Sequence, residues 1–457
     1  MIKIILLILI FMLSPIAVYG NINEITGHAY LLKERSTGRI IVSHNIDDII
    51  YPASTIKILT ALIALDYIAE DDIITVGNEI YYMPAGSSHA GHFLGEQISG
   101  INLIRGLLLR SGNDTSNIAV AHVARIITGE TLPFTEAETL FTNLMNDRSY
   151  ELGATSSNFT NAHGFFHPEM VVTARDLAII SDYAINNPII RKIVSETHFE
   201  GYGATGSNIV TTREISWAST NRLLAGEFYY PYAIGFKTGF HDQAGHCFIG
   251  VASKDGIELI SVIMGSNNLD RWRDTATLFE YGFNNYAIRD IQLASTAIGQ
   301  IEIENPRWGT SSHVDFFGID NFRYYLSQNE FDNLIRTVSF NEGIYTLEDG
   351  VRLFKAPMAA GDRIGNIRYT LNGIEIFNNP ILIQDNVFPW SVLSSFVYVV
   401  GVVSEDPFSI TSIAFFFGLF FVLAILFWII KFFVVFSMKK SKDPFKRKKS
   451  RNRGYGQ

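Results

Sequence analysis

Ser54-Thr55-Ile56-Lys57 opens an apolar run that directly follows Pro52 and predicts a helix over residues 54–67. In such a helix the Ser54 hydroxyl lies at the N-terminus, where backbone N–H groups favour negative charge, and Lys57 lies one turn further on the same face. Burial of a lysine among apolar neighbours favours its neutral amine. Lys57 is therefore a candidate general base for a nucleophilic Ser54, although a surface lysine on an amphipathic helix is the alternative.

Two further short motifs follow at wide intervals. Ser111-Gly112-Asn113 lies in a predicted turn between helices, and Lys237-Thr238-Gly239 lies on a predicted strand; Ser111 is 57 residues after Ser54, and Lys237 is 126 residues after Ser111. Taken alone, the second motif also suits a helix cap and the third a solvated edge strand. Their order and spacing match the S-x-x-K, S-x-N and K-T-G set of serine enzymes that cleave acyl bonds.

The residue types in these motifs suit distinct chemical tasks. The Ser111 hydroxyl can relay a proton between Lys57 and a leaving amine, and the Asn113 amide can hold both Lys57 and a substrate carbonyl. On the strand, Lys237 and Thr238 offer a cation and a hydroxyl to the terminal carboxylate of a substrate, and Gly239 permits close backbone approach.

With these motifs the chain resembles the serine-type D-alanyl-D-alanine carboxypeptidases, the low-molecular-mass penicillin-binding proteins of peptidase family S11. The resemblance covers most of residues 25–385, and Thr115, where Ala is usual, and His246, where Tyr is common, depart from it. It also rests on these further strings: Tyr51-Pro52-Ala53-Ser54-Thr55, Leu108-Leu109-Arg110-Ser111-Gly112-Asn113-Asp114, Asn161-Ala162-His163-Gly164, Thr173-Ala174-Arg175-Asp176-Leu177-Ala178, and the segments at 237–247 and 355–365.

The resemblance implies a reaction and its partners. Lys57 would deprotonate Ser54, Ser54 would attack the carbonyl of the penultimate D-Ala of a peptidoglycan pentapeptide stem, and water would then hydrolyse the acyl-enzyme. The backbone N–H groups of Ser54 and Phe240 would form the oxyanion hole. β-Lactam antibiotics would acylate the same serine. We expect no cofactor and no metal.

Other functions are weighed against this one. A D,D-endopeptidase of the same fold stays open. A serine β-lactamase is less favoured, because Glu136 and Glu138 look like a helix surface and no class A Glu-x-x-x-Asn motif stands between Asn113 and Lys237. The complete set of motifs argues against a catalytically idle wall-binding protein.

A zinc peptidase was considered because four histidines lie in two pairs. His89 and His92 form one pair, and His241 and His246 form the other. Neither pair has a helical ligand spacing or an acidic third ligand, so loop and strand histidines are the better interpretation.

The element pattern predicts an α+β fold with an antiparallel sheet and a helical cluster. The resemblance identifies it with the penicillin-binding/β-lactamase-like catalytic domain, over residues 21–287. Short alternating runs and turns predict a small all-β domain over residues 288–386. Strands are expected at 30–32, 39–43, 247–252 and 257–264, and further helices at 100–109, 115–127, 136–152, 174–183 and 273–283.

Both ends of the chain carry membrane or targeting signals. Residues 1–20 read as a secretory signal peptide, with an uncleaved anchor as the alternative. Residues 387–407 are a juxtamembrane segment, in which 392–403 are apolar but too few to span a bilayer. Residues 408–430 would form a transmembrane helix of about 34 Å, long enough for a bilayer core of about 30 Å.

Charge gives the expected orientation and excludes one class of partner. Residues 431–457 carry ten Lys or Arg against one Asp, which predicts a cytoplasmic tail and an extracytoplasmic catalytic domain in a single-pass membrane protein. The rest of the chain has a net charge of −18 within a total of −9, so it is a poor nucleic-acid binder. The one cysteine, Cys247, cannot form an internal disulfide and reads as a buried strand residue.

Overall fold

The structure is a computed structural model that describes residues 22–307, 310–391 and 410–441. These residues divide into two compact units. The first extends to Arg289 and includes Arg323–Asp332, and the second comprises Asp290–Phe322 and the chain from Asn333 onward. The predicted signal peptide, the apolar segment at 392–403 and the tail beyond 441 lie outside the described residues.

Helices make up much of the first unit. Each helix predicted from the sequence is present, with its ends displaced by at most three residues, whereas α6 and α8 were not predicted. The helices are α1 (Lys57–Tyr67), α2 (Gly100–Leu108), α3 (Asn113–Thr128), α4 (Phe134–Glu151), α5 (Ala174–Ala184), α6 (Pro188–Val194), α7 (Asp270–Asn285) and α8 (Gln328–Asp332).

A five-stranded antiparallel sheet, in the order β2-β1-β9-β8-β7, lies in the same unit and confirms the predicted α+β class. Cys247 is on β8 and fully buried, as predicted. The strands are β1 (Ala29–Glu34), β2 (Ile40–His44), β3 (Ile73–Thr75), β4 (Gln97–Ser99), β5 (His198–Tyr202), β6 (Glu214–Ala218), β7 (Ala233–His241), β8 (Gly245–Lys254) and β9 (Ile257–Ser266).

The start of α1 differs from the prediction. Residues Ala53–Ile56 form a 3-10 turn, and the α-helix begins only at Lys57. Ala53 has a φ of +47°, a left-handed conformation that costs an L-residue about 1–3 kcal/mol. From Lys57 to Ala64 every residue of α1 is buried, so this helix runs through the interior with its lysine inside.

The second unit is β-rich, as predicted. Its main sheet has seven strands in the order β14-β17-β18-β12-β11-β16-β15, of which β11 and β16 are parallel. Ile303, Phe316, Ile367 and Ile381 are among its buried side chains. The strands from this part of the chain are β10 (Tyr286–Gln292), β11 (Gly299–Glu304), β12 (His313–Gly318), β13 (Phe322–Ser327), β14 (Ile335–Phe340), β15 (Tyr345–Glu348), β16 (Val351–Lys355), β17 (Arg363–Leu371) and β18 (Ile374–Ile383).

Helix α9 (Ile410–Ser441) contains residues 410–430 of the membrane segment predicted at 408–430 and continues eleven residues beyond its predicted end; residues 408–409 lie outside the described part of the chain. Its window Phe416–Phe433 has a mean hydropathy of 2.5 and none of it is buried. By length and composition this helix is able to cross a membrane.

Candidate active site

The 3-10 turn and the first residue of α1 place Ser54 and Lys57 side by side. The Lys57 Nζ lies 2.8 Å from the Ser54 Oγ, and the lysine side chain is fully buried. Ser54 is only partly buried and lines an open cavity, so its hydroxyl faces solvent while its partner does not. The predicted pairing of these two residues is present.

Three oxygen atoms surround the Lys57 Nζ. Besides Ser54, it contacts the Asn113 Oδ1 at 2.7 Å and the backbone carbonyl oxygen of His163 at 2.7 Å. A neutral amine has two N–H donors and one lone pair. Since the amide and carbonyl oxygens can only accept, the lone pair of a neutral Lys57 is left for the Ser54 O–H.

The electrostatic surroundings favour this neutral form. Burial, followed by the positive charge of Lys237, holds the pKa of Lys57 well below its usual range, while Asp114 acts in the opposite direction. His163 responds to the same surroundings, because burial and then the charge of Lys57 lower the pKa of its imidazole to about 3. The His163 ring is therefore neutral at physiological pH, and its Nδ1 accepts the N–H of Phe165.

Ser111 lies opposite this pair in a left-handed backbone conformation, with a φ of +59°. Its hydroxyl accepts a hydrogen bond of 2.8 Å from the Lys237 Nζ, and its carbonyl oxygen accepts one of 2.5 Å from the Ser88 hydroxyl. The carbonyl oxygen of Ser88 in turn accepts the Asn113 N–H at 2.8 Å. Ser88 therefore holds both ends of the Ser111-Gly112-Asn113 turn and supports its strained backbone.

Asp114 fixes the loop that carries Ser88. Its buried carboxylate accepts backbone N–H groups from Ala90, Gly91 and His92 at 2.8–3.1 Å, as well as the N–H of Thr115. Burial raises the pKa of Asp114, but His92 and these N–H donors outweigh it, so the pKa lies below its ordinary value. The carboxylate is thus an anionic tie between α3 and the loop.

Strand β7 brings the third motif against the start of α1. A Cβ at Gly239 would meet the Ala53 Cβ and the Pro52 carbonyl oxygen at 3.1 Å, so a side chain at this position would require these atoms to shift by a few tenths of an ångström. The Thr238 hydroxyl lies 2.8 Å from that of Thr220. Lys237 is on the face of the strand opposite Thr238 and is fully buried; its Nζ donates hydrogen bonds to the Ser111 hydroxyl and the Thr238 carbonyl oxygen. The pKa of Lys237 is lowered to about 7, first by burial and then by the positive charge of Arg271.

An open cavity of about 630 Å³ connects the three motifs. Ser54, Ser111, Asn113, Thr238 and Gly239 line it, together with the predicted oxyanion-hole residue Phe240. Phe240 is half exposed and its ring stacks on His246 with centroids 4.2 Å apart. The cations that line the cavity are Arg110 and Arg271, and neither buried lysine is among its lining residues. The predicted contact of Lys237 with a substrate carboxylate stays a prediction, and Lys237 is fully buried in this structure.

Several groups at this site were not predicted. The His163 carbonyl holds Lys57, and a Cβ at Gly164 would lie 2.0 Å from the Ala53 carbonyl oxygen, so the 161–164 segment forms the wall behind Ser54. Its resemblance to family sequence was a signal, but no role was assigned to it. Nothing in the sequence singled out Thr220 or Arg271.

The histidines considered as zinc ligands lie apart in two local settings. The His92 Nδ1 is 2.9 Å from a buried oxygen of Glu96, and its ring packs edge-on against Trp217. His241 packs against Phe166, and His246 against Phe240. Within the described part of the chain, no group of three His, Cys, Asp or Glu residues is arranged to hold a metal ion.

Comparison with known proteins places this geometry in a family. The family model of peptidase S11, D-alanyl-D-alanine carboxypeptidase, matches residues 17–268, which is more than half of the chain. The chain belongs to this family. It is thus a serine D-alanyl-D-alanine carboxypeptidase, an enzyme of peptidoglycan, and the resemblance seen in the sequence is confirmed.

Individual relatives of this carboxypeptidase agree over most of its length. A D-alanyl-D-alanine carboxypeptidase of Escherichia coli is 26% identical over 376 residues, which cover 80% of this chain and 85% of the relative. Penicillin-binding protein 5 of Haemophilus influenzae is a structural neighbour with a TM-score of 0.57 and 25% identity, covering 80% of this chain and 98% of that one. The Streptomyces K15 D,D-transpeptidase matches 57% of the chain with a TM-score of 0.51 and 26% identity.

Proposed function

We propose that Ser54 is the nucleophile and Lys57 the general base of D-Ala release from peptidoglycan pentapeptide stems. The observation that carries this assignment is the 2.8 Å contact between the Ser54 hydroxyl and the amine of a fully buried lysine. Neutral Lys57 takes the proton of Ser54 as the Oγ bonds to the carbonyl carbon of the penultimate D-Ala. The product of this step is a tetrahedral oxyanion.

The backbone N–H groups of Ser54 and Phe240 are proposed to bind that oxyanion. Gly239 supports this assignment, because its missing side chain lets β7 approach the turn that carries Ser54. Loss of one such donor lowers kcat by about 10²–10³ in comparable sites.

Collapse of the tetrahedral intermediate releases the terminal D-Ala. The C–N bond breaks and the carbonyl re-forms on Ser54. The leaving nitrogen takes up, through the Ser111 hydroxyl, the proton that Lys57 accepted from Ser54, so Lys57 is neutral again; the Lys237 Nζ donates a hydrogen bond to this hydroxyl. Asn113 holds Lys57 in place with its Oδ1 and is proposed to offer its amide N–H to the substrate. Water then attacks the carbonyl carbon of the acyl-enzyme through the same steps in reverse order. This hydrolysis frees Ser54 and leaves a peptide with a new terminal carboxylate.

Recognition of the terminal carboxylate is proposed to fall to Thr238 and Arg271, both of which line the cavity. Thr238 offers a hydroxyl, and the guanidinium offers planar donors that match a carboxylate. Lys237 contributes to substrate binding from below, through its contacts with Ser111 and the Thr238 carbonyl. Its depressed pKa is consistent with a proton shared along this chain of groups.

The decisive test is incubation of the ectodomain with a pentapeptide stem and with a labelled penicillin. We expect release of D-Ala and a covalent β-lactam adduct at Ser54, and we expect Ser54→Ala to abolish both. Mapping of the adduct to any other residue would contradict the assignment. A cross-linked dimer assayed in parallel tests the alternative D,D-endopeptidase activity, which uses the same groups.

We further propose that α9 anchors the enzyme in the cell membrane, with the catalytic unit outside and the basic tail in the cytoplasm. The apolar window of α9 supports the anchor, and the Lys- and Arg-rich tail supports the orientation. Protease added to spheroplasts should remove the catalytic unit and spare a tag placed after Gln457. Digestion of the tag with survival of the catalytic unit would reverse the orientation.

A further inference from the structure

A second cavity lies beside the catalytic one in the first unit. It has a volume of about 430 Å³, within the range of small-ligand sites, and its walls include Ile50, Tyr51, Val171 and Met264. Gln243, in the turn after β7, lines both cavities. The two cavities therefore share a wall and are adjacent at the end of this strand.

Aromatic packing forms the rest of the shared wall. The Tyr51 ring lies against Phe166 with centroids 5.1 Å apart and against His241 at 6.2 Å. Tyr51 lines the second cavity, whereas Phe166 and His241 line the catalytic one. Because Tyr51 is three residues before Ser54, this wall is part of the scaffold of the nucleophile.

The order of groups along β7 gives a bound peptide its direction. The proposed carboxylate contact is at Thr238, and Gly239 packs against the turn that carries Ser54. A stem that has its C-terminus at Thr238 and its scissile carbonyl at Ser54 continues upstream past Phe240 and His241. It then reaches the turn that contains Gln243, a residue that lines both cavities.

The two cavities differ in charge. Arg110 and Arg271 line the catalytic cavity, but no Lys or Arg is among the described residues that line the second. Instead, an acidic group lies at its edge. The Asp48 carboxylate is half exposed and lies 3.0 Å from the Nε2 of His28, which lines the cavity. Aliphatic side chains on one part of the wall, with polar groups and an acidic side chain near them, suit an aliphatic chain that ends in an amine.

We propose that the second cavity binds the amine-bearing side chain of the diamino acid that precedes the penultimate D-Ala of the stem. This inference rests on the proposed function and names a specificity site for it. A stem with a free side-chain amine keeps its positive charge beside Asp48. A cross-linked stem carries an uncharged amide and a second peptide at this point, so the enzyme prefers stems that are not cross-linked.

The test uses three synthetic substrates and D-Ala release as the readout. Two are pentapeptides with lysine at the third position, one with a free and one with an acetylated side-chain amine, and the third is acetyl-Gly-D-Ala-D-Ala. We expect kcat/KM to be about twofold to fivefold higher for the free amine, which is the range of a half-exposed charge pair. Added salt should reduce the preference.

Surface variants then locate the preference. Asp48→Asn should reduce it to near unity and Asp48→Lys should reverse it, while the short peptide is cleaved at the wild-type rate. Asp47→Lys is the matched control, because Asp47 is the neighbouring carboxylate but pairs with Arg175. It should leave the preference intact.

The possible failures are distinguishable. If none of the three substrates releases D-Ala, the proposed function itself fails. If the pentapeptides are cleaved but the wild type shows no preference between them, or if Asp47→Lys and Asp48→Lys change the preference equally, the second cavity is not the side-chain site.

Discussion

The start of α1 and the strand β7 each bury a lysine completely, and the two lysines differ in what they touch. Lys57 contacts the Ser54 hydroxyl, an amide oxygen and a carbonyl oxygen, whereas Lys237 contacts the Ser111 hydroxyl and a carbonyl oxygen. Neither lysine has a carboxylate among its described hydrogen-bond partners. Both pKa values are lowered by burial, and the charge of Lys237 lowers that of Lys57 further.

This difference separates two tasks for one residue type. A buried cation without an anionic partner is costly, so each lysine is stable mainly as an amine or as a proton donor in a shared hydrogen bond. To act as the proposed base, Lys57 beside Ser54 must be the neutral one. Lys237, with a pKa of about 7, is the partner whose charge keeps it so.

The largest expected effect is that of Lys57→Arg. A guanidinium cannot lose its proton at neutral pH, so the base is removed while the charge is kept. We expect acylation by peptide and by penicillin to fall about 10³-fold, which is within the range of general-base catalysis. Stopped-flow acylation measures this, with the exposed Lys192→Arg as control. Near-normal acylation by Lys57→Arg would break the comparison.

Lys237→Arg and Arg271→Gln form a matched pair of smaller changes. If Lys237 acts through Ser111, its replacement should lower acylation about 10²-fold for carboxylate and amidated substrates alike.

Arg271→Gln should raise KM about tenfold only for substrates with a free terminal carboxylate, because the lost group is a charged hydrogen-bond donor. Acylation rates with both substrates decide this. A loss confined to carboxylate substrates in Lys237→Arg would return the anchor role to that lysine.

Asp114→Asn should weaken the tie that holds the Ser88 loop and so displace Ser111. It also removes the charge that opposes the low pKa of Lys57, so the acidic limb of the kcat/KM profile should move to lower pH while kcat falls about tenfold. Asp176→Asn is the control. This buried carboxylate also accepts hydrogen bonds, from Ser156 and Ser157, but neither serine lines the catalytic cavity. Equal stability losses with equal profiles would assign Asp114 a purely structural role.

The last effect concerns stability rather than rate, and it grows as the pH falls below 6.5. The pKa of His163 is about 3 in the folded protein and about 6.5 when unfolded, so the unfolded chain takes up a proton first as pH falls. His163 therefore contributes stability above pH 6.5 that is lost progressively toward pH 3, by about 1.4 kcal/mol per pH unit in the linear range. Urea unfolding of wild type and His163→Gln between pH 6.5 and 4.5 measures it. Parallel slopes would contradict the buried neutral ring.

The sequence predicted those parts of the site that consist of side chains at a fixed spacing along the chain. Ser54 and Lys57 are three residues apart, so almost any helical turn brings them together, and the K-T-G string was correctly placed on a strand. The α+β class followed from helical and alternating apolar patterns that long buried elements cannot avoid.

Other features of the site leave no such trace. The His163 carbonyl that holds Lys57 is a backbone atom, which every residue type carries. Arg271 follows Gly239 by more than thirty residues and reaches the cavity only because α7 begins beside the sheet. The burial of Lys237 depends on which face of β7 is covered, and a three-residue string does not specify that face.

The missing side chain at Gly164 limits how this enzyme can diverge. Gly164 has a φ of +82°, and a Cβ at this position would lie 2.0 Å from the Ala53 carbonyl oxygen. No other residue therefore fits there unless the turn that carries Ser54 moves. Position 163 is different, because the atom it supplies to Lys57 survives a change of side chain. In a saturation-mutagenesis library selected for growth, we expect residue 164 to remain glycine and residue 163 to accept other side chains. No single substitution at residue 164 therefore leaves the turn that carries Ser54 in its present position.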